Sequence, residues 1–253
     1  MSTRRVLMIP IVVMAAAAVS TTSAAAPAAH APASPGQLFV VQAVPGATYA
    51  VSVDGEEQTD KADVGAVLGP IELDAGDHTV RFEPGSGEPM SANVRIRAGG
   101  SVDLVLHLPA DPGGDPVADV YRVSAKPAAP DTARVLVAHT ATVPPADVRV
   151  DGQVVFEDIA NGEFATADVP AGQHSAEVVP AGTSDDPILG PLDVDLPAGT
   201  VTMVYAVGTP TDGSMNVISH QESIGTTNAA PLREIGTGSA GLVRTRQVTI
   251  YGR

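Results

Sequence analysis

Apolar and polar residues alternate in short runs along most of this chain, and helical spacing is absent. Val80 and Phe82 alternate with Thr79, Arg81 and Glu83. Val94 and Ile96 alternate with Arg95 and Arg97, and Leu192, Val194 and Leu196 with Asp193 and Asp195. A period of two is the signature of a strand with one face buried. Other runs are more continuously apolar and rich in β-branched residues, notably 38–44, 135–140, 102–108 and 201–207, and these are also predicted strands. In the last two, Val102, Leu104, Leu106 and Leu108 are expected on one face, matched by Val201, Met203, Tyr205 and Val207.

The strands come in two sets. Val53-Asp54-Gly55 returns as Val150-Asp151-Gly152, about 97 residues on, and 75–78 (Ala-Gly-Asp-His) returns as 171–174 (Ala-Gly-Gln-His). Ala98-Gly99 before one long strand returns as Ala198-Gly199 before another. Asp-Gly favours a tight turn, because Gly tolerates positive φ and Asp can visit the left-handed region. Three landmarks in one order at nearly one offset indicate a duplicated domain of about seven short strands in about 90 residues. The expected fold is all-β: two tandem antiparallel β-sandwich domains, immunoglobulin-like in size, with an N-terminal signal helix and a disordered C-terminal tail. The expected boundaries are 37–124 and 133–221 for the repeats, with a Pro-stiffened linker at 125–132.

Both ends carry their own signals. Arg4-Arg5 precedes an apolar run of about 14 residues, short of the roughly 20 needed to span a bilayer, followed by small residues through Ala25. Residues 1–25 therefore read as a secretory signal peptide, with a twin-arginine flavour, and 26–36 as a flexible leader. Residues 222–253 read as a low-complexity tail. Its stretch 236–241 spells G-x-G-x-x-G, but no strand precedes it and too little chain follows for a dinucleotide fold. Residues 232–238 have a faint sortase-signal look without a following membrane span. Residues 243–251 could form an extra strand or a docking segment.

Composition narrows the function classes. The chain has 253 residues and a formal charge of −15, which disfavours nucleic acid and anionic lipid surfaces and favours solubility. It has no Cys, so disulfides, thiolate metal sites, a Cys nucleophile and a lipid-modified N-terminal Cys are all excluded. Only 3 % of residues are aromatic, so the cores must be built from Val, Leu, Ile and Ala. The Ala, Val and Gly excess, with Arg favoured over Lys, suggests a high-GC bacterial genome.

Candidate chemistry is sparse. His78 and His174 hold equivalent positions after a Gly turn, where an imidazole would cap a turn carbonyl or pack on a neighbour. His139 lies within a strand, and its counterpart is Gln42, so a catalytic base present in only one copy would be odd. Asp111, Asp115 and Asp119 are four apart, not at the alternating spacing of a calcium loop, and only Asp212 remains of them in the second copy. Asp60, Asp63, Asp185 and Asp186 read as solvated surface. No esterase elbow, zinc-protease helix motif or Walker loop occurs. No catalytic, cofactor-binding or metal-ligating residue is assigned.

The segment 133–221, with its opening 135–139 (Val-Leu-Val-Ala-His), then 148–152, 169–174 and 196–199, resembles the bacterial domain-of-unknown-function family 4397. The first repeat resembles it more distantly. A looser likeness is to PEGA-type surface domains. The resemblance implies secreted or surface β-domains, often in tandem, and brings no catalytic residues. The expectation is an exported, non-catalytic cell-envelope or extracellular protein that binds an unknown protein or glycan, needs no cofactor and has no transmembrane segment in its mature form. The alternative is a carbohydrate- or calcium-binding surface module, and an enzyme is the least favoured reading.

Overall fold

The computed structural model describes residues 34–183 and 186–227. Residues 1–33, which hold the expected signal peptide and most of the expected leader, and those from 228 onward, including 236–241 and 243–251, lie outside the described residues.

The first repeat forms eight strands: β1 (Gly36–Gln42), β2 (Tyr49–Val53), β3 (Glu56–Ala62), β4 (Val67–Leu73), β5 (Gly76–Pro84), β6 (Met90–Ile96), β7 (Ser101–His107) and β8 (Val117–Tyr121). The second forms β9 (Thr132–Ala141), β10 (Ala146–Val150), β11 (Gln153–Ile159), β12 (Phe164–Pro170), β13 (Gly172–Pro180), β14 (Leu189–Leu196), β15 (Thr200–Gly208) and β16 (Asn216–Ser223). The sheets are β4-β1-β7-β8 and β3-β2-β5-β6 in one sandwich, β12-β9-β15-β16 and β11-β10-β13-β14 in the other. Adding eight to each strand number of the first sandwich gives the second, so the duplication read from turns extends to the whole topology.

The structure refines the all-β expectation in two ways. Each sandwich has eight strands, the polar run 56–62 (Glu-Glu-Gln-Thr-Asp-Lys-Ala) being the one without an alternating apolar signal. The sheets are also not purely antiparallel, because β1 pairs with β7, and β9 with β15, in parallel. The chain leaves β6 or β14 by a tight Gly turn, crosses to the opposite sheet and runs alongside its opening strand. At the far end β16 continues to Ser223. Ile224 and Gly225 donate to Gly199 O at 2.9 Å, and Thr227 donates to Ala128 O at 2.9 Å. Ordered chain thus passes the boundary at 221.

The strand registers place the side chains. Leu38 pairs with Val102 and Val135 with Thr202, so Thr202 is the counterpart of Val102. Val102, Leu104 and Leu106 point into the first sandwich, where they meet Val51, Val80, Phe82, Val94 and Ile96. Val201, Met203, Tyr205 and Val207 point the other way. They join Val41, Ala43, Val105 and Tyr121 of the first sandwich in a separate cluster. The expected match between these two sets of four is therefore one residue out, and a one-residue slip reverses the face.

That separate cluster is the seam of the molecule. The outer faces of β4-β1-β7-β8 and β12-β9-β15-β16 pack on each other, so the two sandwiches stack within one compact unit. The central strands β1, β7, β9 and β15 are buried almost continuously, as strands covered on both faces must be. Aromatic residues gather here: Tyr121 lies 5.6 Å from Tyr205 and 5.7 Å from Phe164, centroid to centroid.

The two interiors differ. The first is closed around Phe82 and Val80, both wholly buried. The second holds an apolar cavity of about 90 Å³ between Val135, Phe156, Val178, Leu192, Val194 and Val204. Dense packing makes truncation costly. Phe82→Ala should destabilise the protein by about 3–5 kcal/mol. Val178→Ala, at a site already beside a void, should cost less than half as much in the same chemical denaturation experiment.

Candidate functional site at the seam

The largely apolar seam encloses a cluster of buried polar side chains on β7, β15 and β16. β7 carries Asp103 on its outer face, between Val102 and Leu104 on the inner one, and Asp103 is 1 % exposed. β15 supplies Tyr205 and β16 supplies His220, at 0 % and 2 % exposed. His220 Nε2 donates to Asp103 Oδ2 at 2.5 Å, and the Tyr205 hydroxyl donates to the same oxygen. Phe39 of β1 stacks on the His220 ring with centroids 4.5 Å apart. Glu222, two residues on from His220, accepts from Ser101 Oγ at 2.9 Å. Asp103 Oδ1 and His220 Nδ1 have no hydrogen-bond partner.

Burial and pairing compete in this cluster. Burial opposes charge on His220, but the hydrogen bond and charge of Asp103 outweigh it, and the imidazole titrates above its ordinary value. Burial raises the Glu222 carboxyl, with the Asp103 charge adding to it and the Ser101 hydrogen bond opposing. Burial, together with Asp103, holds the Tyr205 phenol well above its ordinary value. The result is a buried ion pair that joins the first repeat to the second.

Asp103, His220 and Glu222 are also the group of three among the described residues whose ligand atoms lie close enough to hold a metal ion, within 4.8 Å of one another. One imidazole and two carboxylates would suit a divalent transition metal. In this arrangement, however, Asp103 Oδ2 and His220 Nε2 are engaged with each other. The adjoining cavity, about 30 Å³ between Ser101, Asp103, Tyr121, Met203 and Glu222, has room for water but not for an organic substrate. Sequence reasoning passed over this cluster because its members come from different repeats. An acid flanked by Val102, Leu104 and Val105 in a run otherwise apolar on both faces was the available signal.

Several of the residues singled out from sequence are hydrogen-bonded within their own repeat. In each repeat the Asp of the Asp-Gly turn meets the His after the Gly turn. His78 Nδ1 donates to Asp54 Oδ2 at 2.6 Å and Nε2 to Asp74 O at 2.8 Å, while Thr79 N donates to Asp54 Oδ1 at 2.9 Å. His174 repeats the set with Asp151 at 2.8 Å, Pro170 O at 2.8 Å and Ser175 N at 2.9 Å. Asp54 and Asp151 take positive φ, at 52° and 51°, as such turns require. The clamp joins two landmarks of the repeat, and both its imidazole nitrogens face acceptors. The carboxylate hydrogen bond is the main cause lifting His78 and His174 above the ordinary histidine value. Backbone N–H donation and the imidazole hold Asp54 and Asp151 below theirs.

His139 and Gln42 are equivalent and both buried. Each braces the loop after its strand: Gln42 Nε2 donates to Val44 O and Ala47 O at 3.2 and 2.6 Å, and His139 Nε2 to Pro144 O at 3.2 Å. Burial lowers the His139 pKa, so its ring is neutral near pH 7. Asp119 lies in β8 and accepts from buried His107 Nε2 at 2.9 Å, apart from exposed Asp111 and Asp115. Asp212 accepts from Ser214 N at 2.9 Å. Asp63 accepts from Thr48 Oγ1 at 2.8 Å and lies 3.2 Å from Lys61. Asp60 and Asp186 are exposed, and Asp185 lies outside the described residues. The structure does not gather these carboxylates into a common site.

Two outcomes follow for the ionised groups. Asp103→Ala should destabilise by about 3–5 kcal/mol, because it strands a buried imidazole. The double change Asp103→Leu with His220→Leu should cost clearly less, both measured by urea denaturation. For the clamps, a histidine pKa raised in the native state adds stability that is complete below the unfolded value of about 6.5 and is lost as pH rises through the native value. The lowered carboxyls add stability above the ordinary carboxyl range that is lost as pH falls through their native values. NMR titration should place His78 and His174 above about 6.5. Asp54→Asn and Asp151→Asn should each return only their own histidine toward it.

No curated protein matches the chain in sequence. A solved structure, the Bacillus anthracis TIE protein, is similar over 69 % of this chain and 34 % of its own, at 15 % identity and a TM-score of 0.24. The chain thus spans about a third of that structure's length, and a likeness at this TM-score does not establish a shared fold. No helix among the described residues is long and apolar enough to cross a membrane. The family resemblance, read in both repeats and more strongly in the second, is matched over the first, and the matched span ends soon after the second repeat begins. Over residues 36–146, the first sandwich and the opening of the second, the chain matches the family model of a domain of unknown function, DUF4397.

Proposed function

We propose that this is an exported, non-catalytic protein of the cell envelope or the medium, a tandem β-sandwich that presents a surface to a protein or glycan partner. The observation that carries the reading is how its reactive groups are used. Asp103, Tyr205 and His220 converge, but they are 2 % exposed or less and bond to one another. The more accessible His–Asp pairs are each engaged on every polar ring atom by a turn of their own repeat. Catalysis needs convergent groups that a substrate can reach. Export is supported by the order of the first 25 residues: arginines, an apolar run, then small residues.

A tagged full-length chain, expressed in a bacterium and separated into medium, wall, membrane and cytosol, tests this. The expected result is recovery from the medium or wall with a mass corresponding to cleavage after Ala24 or Ala25. A full-length product confined to the cytosol would overturn the export reading.

A further inference from the structure

We propose that Arg97 and Arg122 form an oxyanion site for a phosphate monoester group at one end of the first sandwich. This goes beyond the reading above by naming a ligand class, and it does not depend on export. β6 and β8 are the edge strands of the two sheets of that sandwich. Where both end, Arg95, Arg97, Gly100, Ser101, Arg122 and Ser124 line a pocket of about 230 Å³.

Charge bookkeeping sets the pocket apart in a chain of −15. Lys61, Arg81, Arg95, Arg134 and Arg149 each stand within 3.3 Å of a carboxylate. Among the described residues Arg97 and Arg122 pair with none, and both face this one pocket. Lys126, the other cation without such a pair, does not line it. Burial, and then the like charge of Arg97, depress the Arg122 guanidinium. Two cations are therefore held together against their repulsion.

The second repeat shows that the fold does not require them. Arg122 Nη2 bridges the two sheets by donating to Arg95 O at 2.9 Å. At the equivalent place Gln221 Nε2 donates to Asp195 O, also at 2.9 Å. An amide performs the bridge as well as a guanidinium does. The counterparts of Arg95 and Arg97 are Asp195 and Pro197, so the same framework closes with the opposite charge. The arginine backbone is also fixed. A Cβ on Gly36 would lie 2.4 Å from Arg97 O, and Gly100 N donates to that oxygen at 3.0 Å.

Guanidinium forks match the oxygens of phosphate and carboxylate groups. Two unpaired positive charges favour a group carrying about −1.5 to −2, a phosphate monoester, over a carboxylate or a diester at −1. The same dianionic phosphoryl chemistry is offered by free inorganic phosphate and by the terminal monoester of a lipid such as phosphatidic acid.

The test titrates the full chain, at low ionic strength, with inorganic phosphate and separately with acetate, by calorimetry. A parallel arm measures co-sedimentation with vesicles of phosphatidic acid in phosphatidylcholine against phosphatidylcholine alone. Phosphate should bind at least about tenfold more tightly than acetate. Arg122→Gln and Arg97→Gln should each weaken it by about tenfold or more. Arg122→Gln keeps the bridge that Gln221 makes in the other repeat, so it should melt close to the parent, and exposed Arg97→Gln provides a second variant. Co-sedimentation that the same variants abolish, with or without binding of free phosphate, supports the site with lipid as its source. Binding of neither probe, acetate as tight as phosphate, or variants that bind like the parent would overturn it.

Discussion

Burial of the outer faces of two sheets against each other is the constraint on which the rest of this structure depends. A lone β-sandwich can leave its outer faces to water and alternate apolar with polar residues. Here β1, β7, β9 and β15 cannot, because each lies between its own core and the neighbouring sandwich. That double burial explains the near-continuous apolar runs and the gathering of Phe39, Tyr121 and Tyr205 at the seam in a chain with few aromatic residues. Large flat side chains bury the most area per residue ordered, so scarce aromatics have most effect where two sheets meet.

The polar cluster follows from the same constraint. Asp103 in an apolar seam is costly unless its charge is matched, and the match comes from the other repeat through His220 and Tyr205. The pair adds little net stability compared with an apolar seam. Its contact is made only where the outer face of β7 meets the faces of β15 and β16 that carry Tyr205 and His220. The His78–Asp54 and His174–Asp151 clamps work at a smaller scale, each tying two turns of one repeat. Burial grades the polar groups from half-exposed clamps to sealed seam.

Much of this architecture was legible in the sequence, and the gaps have physical causes. Period-two alternation located β5, β6 and β14, because each has one wet face. The Asp-Gly and Ala-Gly turns located the duplication, because their backbone geometry restricts the residue types. The polar strand β3 carries no alternating apolar signal of its own, since it contributes only Ala62 wholly to the core. The register of β15 was misread by one residue because both of its faces are apolar, which leaves periodicity nothing to distinguish. The seam cluster was invisible for a related reason: Asp103 and His220 are 117 residues apart, and no local pattern joins them. The clamps were half legible, as a histidine capping a turn carbonyl, without the aspartate that completes them.

The two halves use the same face of equivalent sheets to meet, as the subunits of a symmetric dimer would. Such a dimer must write every contact twice, so an aspartate introduced on one side appears on the other as well. Joined in a single polypeptide, the copies are free of that rule. Where one presents Asp103 its twin presents Met203, and where one presents Tyr121 its twin presents His220. Covalent fusion thus permits a one-sided acid–base contact inside an interface that a symmetric dimer would have to write twice.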